Sequence, residues 1–104
     1  LSLMRYGSRR WREHVGSEPH WWLCTLASSL EFRGRGLGAR AVRQAAAHLT
    51  GLGAERLHLD CIVHSQGFLP RYYADLGFQE LARKTVERPG RGFVEMALMR
   101  RALV

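Results

Sequence analysis

The feature that most constrains this chain is the run Arg33-Gly34-Arg35-Gly36-Leu37-Gly38, which passes without a break into the helix-like segment Ala39–Thr50. Glycines at alternate positions leave backbone N–H groups uncovered by side chains. A helix that starts there adds its free N-terminal donors and the positive end of its dipole. Two arginines lie inside the same turn. The combination is the chemistry of a phosphate cradle, built from backbone and from charge.

The chain has 104 residues, which limits it to one domain with one modest core. It has no apolar run of about 18 residues, so no membrane-spanning helix is expected, and no signal-peptide pattern opens it; with its cysteines read as reduced, a cytoplasmic protein is expected. Its net charge is +7, which favours phosphorylated or acidic partners. Arginine carries nearly all of it, Lys84 being the only lysine. Arginine is the better fork for phosphate oxygens, although an arginine-biased genome explains the same composition. Cys24 and Cys61 both sit in apolar runs, with neither metal-ligand nor redox spacing. Both read as reduced core or near-core residues, a single disulfide being the alternative.

In chain order, residues 1–19 read as a lead-in, irregular or with a short helix on which Leu3, Met4, Trp11 and Val15 share a face. His20–Ala27 is apolar nearly throughout and fits a strand buried on both faces. Leu37, Ala41, Ala45, Leu49 and Leu52 recur at helical spacing, with Arg40, Arg43 and Gln44 opposite and Gly51 and Gly53 as stop signals. Leu57–Val63 is a second strand. Gln66–Leu76 is a helix with Pro70 in its first turn and Phe68, Leu69, Tyr72, Tyr73 and Leu76 on its buried stripe. Phe78–Val86 and Gly92–Met99 form a closing hairpin around Arg88-Pro89-Gly90-Arg91-Gly92. The predicted order is β-α-β-α-β-β.

Three phosphate ligands compete for the glycine turn. A nucleoside-triphosphate loop needs G-x-x-x-x-G-K-[ST], and the lysine is absent. A dinucleotide fold is formally matched by Gly34-x-Gly36-x-x-Ala39, with Asp60 at a strand end further on. Against it stand the polar segment Ser28–Arg33 between strand and turn, the terminal hairpin and the short chain. The third is an acyl-CoA site. Arg33-x-x-Gly36-x-Gly38 matches [QR]-x-x-G-x-[GA], and Tyr73-Ala-Asp-Leu-Gly77-Phe78 resembles Y-x-x-x-G-F, both signatures of the GNAT superfamily of N-acetyltransferases. Leu59-Asp60-Cys61 followed by Tyr72-Tyr73 is similar to members that read L-D-C and then paired tyrosines.

The resemblance runs from about His20 to Leu103. It implies an α/β fold with a mixed sheet of the acyl-CoA N-acyltransferase type, lacking its N-terminal strands, with residues 20–104 as the acetyl-CoA-binding part. It implies acetyl-CoA as co-substrate and direct attack of a primary amine on the thioester in a ternary complex. Backbone groups of Leu26, Ala27 and Ser28 would meet the acyl arm. Those of Arg33, Gly34, Arg35, Gly36, Leu37, Gly38 and Ala39 would hold the pyrophosphate, and Gln66 takes the place of a family asparagine. Tyr73 would protonate the departing thiolate, a thiol of pKa about 8.5 against a phenol of about 10.

Many members carry a glutamate base on the strand that matches His20–Ala27, where this chain has none. His20 is the nearest group with a suitable pKa and Asp60 the other candidate. No residue is expected to bind a metal. The sequence opens on Leu1 and lacks the strands that normally wall the acceptor, so a fragment, a homodimer or a complementing N-terminal segment is expected, the His20–Ala27 strand offering the open edge. The alternative function is a non-catalytic module that binds acyl-CoA and a protein or nucleic-acid partner.

Overall fold

A five-stranded mixed sheet runs in the order β1-β2-β3-β5-β4. The computed structural model describes residues 2–25, 36–63, 68–90 and 92–103. In chain order the elements are β1 (Ser2–Tyr6), α1 (Arg12–Val15), β2 (His20–Thr25), α2 (Leu37–Gly51), β3 (Arg56–Ile62), α3 (Phe68–Asp75), β4 (Gln79–Arg88) and β5 (Gly92–Ala102). β2 and β3 are parallel and every other pairing is antiparallel. The α/β class is the one expected, and the strand–helix–strand–helix–hairpin succession holds from β2 onward. Residues 2–19, read as a lead-in, supply β1 and α1. β1 therefore covers the outer edge of β2, and the open edge belongs to β1 instead.

Strand alternation sorts the side chains onto two faces. On one face Leu23, Leu57, Leu59, Cys61, Ala97 and Met99 form a core with Val42 and Leu49 of α2 and Phe78. The buried stripe of α2 is Val42, Ala45, Ala46 and Leu49, while Arg40, Arg43 and Gln44 face solvent as expected. Leu52, predicted in that stripe, lies past the helix end and is 59% exposed. The other face holds Trp22, Met96 and Leu98 beneath Trp11, which is fully buried. Trp11 reaches that position from the connection between β1 and β2, residues 7–19, which lies over the sheet as a strap.

Both longer helices stop in the same way. The Ala54 N–H bonds to the Leu49 carbonyl and the Gly53 N–H to that of Thr50, each at 3.0 Å. At the end of α3, Phe78 N–H bonds to the Tyr73 carbonyl and Gly77 N–H to that of Ala74, again at 3.0 Å. These are Schellman stops, with the left-handed residue at Gly53 (φ 83°) and Gly77 (φ 94°). The six-residue signature Tyr73 to Phe78 is thus a helix stop. Gly77 supplies a backbone conformation that a side chain disfavours, and the ring of Phe78 packs edge-on against Tyr73 with centroids 5.8 Å apart.

Candidate functional site

Only Trp21↔Leu57 and Trp22↔His58 pair β2 with β3 among the described residues. Beyond them β2 continues to Thr25 and β3 to Ile62. β3 stays paired with β5 along its whole length, and β2 stays paired with β1. The sheet therefore parts between Leu23–Thr25 and Leu59–Ile62, at the carboxyl ends of its two parallel strands, where open α/β sheets receive ligands.

From one side the opening meets α3. Tyr73 is half-buried against the helix-face core, and among the described residues its hydroxyl has no hydrogen-bond partner. Burial pushes its pKa above the ordinary phenol value, with the Cys61 thiol and then Tyr72 adding to the shift. Burial likewise raises Cys61, to about 11, Asp60 and Glu80 reinforcing it against Arg83. Arg101 of β5 reaches across the same face and donates from Nη1 to the Leu76 carbonyl at 3.0 Å, fixing the end of the helix that carries Tyr73.

From the strap side it meets a polar group that sequence reasoning largely missed. Asp60 points to this face, two residues beyond the last β2–β3 pair. Its Oδ2 accepts from Trp11 Nε1 at 2.9 Å and from Arg10 Nη1 at 3.2 Å. Tyr6 and Cys24 complete the group. Burial, then Cys24 and then Asp60, push the Tyr6 hydroxyl up, and Arg10 opposes them. Lys84 Nζ donates to the Arg10 carbonyl at 2.7 Å and also lies 5.5 Å from the Trp11 ring centroid. Contacts between residues some fifty positions apart leave no local pattern in a sequence. Only Asp60, a carboxylate inside an apolar run, offered a signal. Cys24, expected near the core, is exposed here; Cys61 is buried, and both are free thiols.

At the head of α2, Gly36 is left-handed (φ 72°) and exposed, no side chain among the described residues caps the helix, and its first turn holds no acidic residue. The N–H groups of Leu37, Gly38 and Ala39 precede the first intrahelical bond, from Arg40 N–H to the Gly36 carbonyl at 3.0 Å. An uncapped, acid-free helix start fits a phosphate group. The expected contacts at Leu26, Ala27, Ser28, Arg33, Gly34, Arg35 and Gln66 lie outside the described residues.

His20 is placed apart from this constellation. It opens β2, about 16 Å down the strand from Thr25 at 3.3 Å per residue. Its Nε2 donates to the Val15 carbonyl at 2.7 Å, and its ring meets His58 edge-on at 5.1 Å.

The sequence of residues 4–78 matches the acetyltransferase (GNAT) family. The chain belongs to that family. No curated protein matches it in sequence. Among solved structures, Naa20 of Chaetomium thermophilum with a bisubstrate analogue is 15% identical (TM-score 0.72), the similarity covering 96% of this chain and 56% of that one. The ribosomal-protein-S18-alanine N-acetyltransferase of Escherichia coli is 20% identical (TM-score 0.68), covering 81% and 54%. A GNAT acetyltransferase of Elizabethkingia anophelis with acetyl-CoA bound is 15% identical (TM-score 0.64), covering 80% and 60%. The chain spans little more than half the length of these three structures. Among its described residues no helix is long and apolar enough to cross a membrane.

Proposed function

We propose that this chain carries the acetyl-CoA-binding part of a GNAT N-acetyltransferase and moves an acetyl group to a primary amine by direct attack in a ternary complex. The observation that carries this reading is the parting of β2 and β3, with Tyr73 on one side, Asp60 on the other and the bare start of α2 available for phosphate. Acetyl-CoA supplies the activated acyl group and a thiolate leaving group. The first-turn amides from Gly36 to Ala39 hold its pyrophosphate, joined by those of Arg33, Gly34 and Arg35, and the backbone of Leu26, Ala27 and Ser28 meets the acyl arm. The amine nitrogen forms a bond to the thioester carbon, and the carbon–sulfur bond breaks.

Tyr73 gives its proton to the departing sulfur; a raised pKa keeps the phenol protonated and ready near neutral pH. The amine proton goes to Asp60. Both donors on Asp60 converge on Oδ2, leaving Oδ1 without a partner among the described residues. His20, expected as the base, we assign instead to tying the head of β2 to the strap. Two reduced thiols suit a cytoplasmic enzyme.

Calorimetry with coenzyme A and thiol release from acetyl-CoA over a panel of amines test the reading. Gly36→Asp abolishes coenzyme A binding. Tyr73→Phe keeps the affinity and lowers kcat by about 100-fold, the lower end for a lost general acid. Coenzyme A binding with no turnover on any amine overturns catalysis and favours a non-catalytic acyl-CoA-binding module.

A further inference from the structure

Asp60 and Arg10 form an ion pair that leaves valence unused on both partners. The contact joins Arg10 Nη1 to Asp60 Oδ2 at 3.2 Å, with side chains 42% and 30% exposed. Among the described residues Arg10 Nη2 and Nε have no acceptor, and Asp60 Oδ1 has no donor. The pair is held rigidly for a surface contact. Trp11, fully buried, anchors the strap and bonds the same carboxylate oxygen, and Lys84 fixes the Arg10 carbonyl. Arg9 and Arg12 beside it are exposed and have no acidic partner among the described residues. A cation and an anion with adjacent free edges, preorganised at the mouth of an opening, are complementary to a ligand that carries both signs a few bonds apart.

We propose that the acceptor is an amine that also bears an anionic group, carboxylate or phosphate, and that Arg10 is the residue that selects for it. This rests on the acetyl-transfer reading above and deepens it. The ammonium of the incoming acceptor meets Asp60 Oδ1 and releases its extra proton to solvent before the neutral amine attacks, and the anion takes the outer fork of Arg10. The strap thereby becomes a wall of the acceptor site, and the paired carboxylate keeps Arg10 from swinging away. An acceptor without the anion gains only the Asp60 contact.

The test is calorimetric titration of the full chain with O-phosphoethanolamine, β-alanine and ethanolamine, read beside thiol release from acetyl-CoA with the same three amines. At least one anionic amine binds about tenfold more tightly than ethanolamine, as a charge-assisted fork contact allows. The tighter of the two tells phosphate from carboxylate. Arg10→Gln brings the three affinities together, Arg10→Lys keeps a reduced preference, and Arg9→Gln leaves the preference intact. Circular dichroism confirms that the variants fold. No preference in the parent chain, or a preference that survives in Arg10→Gln, overturns the inference. Equal turnover of all three amines overturns it too and leaves acetyl transfer standing. An Arg10-dependent preference without thiol release from any of them sinks the acetyl-transfer reading and keeps the recognition.

Discussion

On one face of the sheet, α2 and α3 press aliphatic side chains onto Leu57, Leu59, Ala97 and Met99. On the other, one strap presses a single indole onto Trp22, Met96 and Leu98. The helix face spreads its burial over many residues and carries its titratable groups, Cys61 and Tyr73, as neutral acids. The strap face concentrates burial in Trp11 and hides a base, His58, which is only 1% exposed. His58 Nδ1 and Trp22 Nε1 have no hydrogen-bond partner among the described residues. The two faces should therefore fail differently: the strap face by loss of one residue or by acid, the helix face by alkali.

The largest expected effect is on the strap. Trp11→Ala costs about 3–5 kcal/mol by the usual range for a buried indole, and it also frees the Asp60 carboxylate of one donor. Urea unfolding measures it. Leu49→Ala, its counterpart on the helix face, costs about 2–5 kcal/mol, with neighbours in α2 able to close part of the gap. A loss for Trp11 no larger than for an exposed residue would show that the strap does not hold the sheet.

Acid comes next. Burial pushes the His58 pKa down to about 4, and the neighbouring His20, Arg100 and Arg56 push the same way, against a backbone hydrogen bond with Trp21. The unfolded chain then binds the extra proton first. Stability is complete above the unfolded value of about 6.5 and falls as the pH drops from there toward 4. By linkage the loss reaches about 3 kcal/mol. Unfolding followed over this range in the parent chain and in His58→Phe measures it, and the variant should lose most of the slope.

Alkali is the matching test on the helix face. Cys61 is raised to about 11, so the unfolded thiol ionises first, and stability declines from about pH 9 toward 11 by at most about 3 kcal/mol. Tyr73, raised for the same reason, adds to the decline at higher pH, and so does Tyr6 on the strap face. Cys61→Ala should flatten the first part of that curve.

The smallest effect compares the two helix stops. Gly53→Ala and Gly77→Ala each force a side chain into the left-handed region, at about 1–2 kcal/mol. Only Gly77→Ala should also lower acetyl transfer, because Tyr73 stands at that stop and Leu49 at the other. Equal activity in the two variants would detach the stop geometry from the chemistry.

These contrasts track what the sequence could disclose. α2, β3, α3 and the hairpin were legible because a period of 3.6 or 2 is written locally and glycine marks each stop. Their ends moved by a residue or two, and β5 runs on to Ala102 instead of stopping at Met99. β1 was hidden, being five residues long with Arg5 on the face that Leu3 shares. Trp11 and Val15 were read with Leu3 and Met4 as one helix face, whereas a strand end and a turn divide them. The helix-face half of the candidate site was legible through Tyr73, Gly77 and Phe78, since a helix stop is a local object. The strap-face half, Tyr6, Arg10, Trp11 and Cys24 around Asp60, depends on tertiary contacts that no spacing encodes.

The seam of two residue pairs between β2 and β3 bears on how the molecule comes apart. One ladder of seven pairs holds β3 to β5 and one of nine holds β4 to β5. The ribbon of β1 and β2 hangs on the short seam, on the core contacts of Trp21 and Leu23, and on the indole above. In amide exchange the molecule should behave as two foldons, with the ribbon opening before the three remaining strands give up their protons.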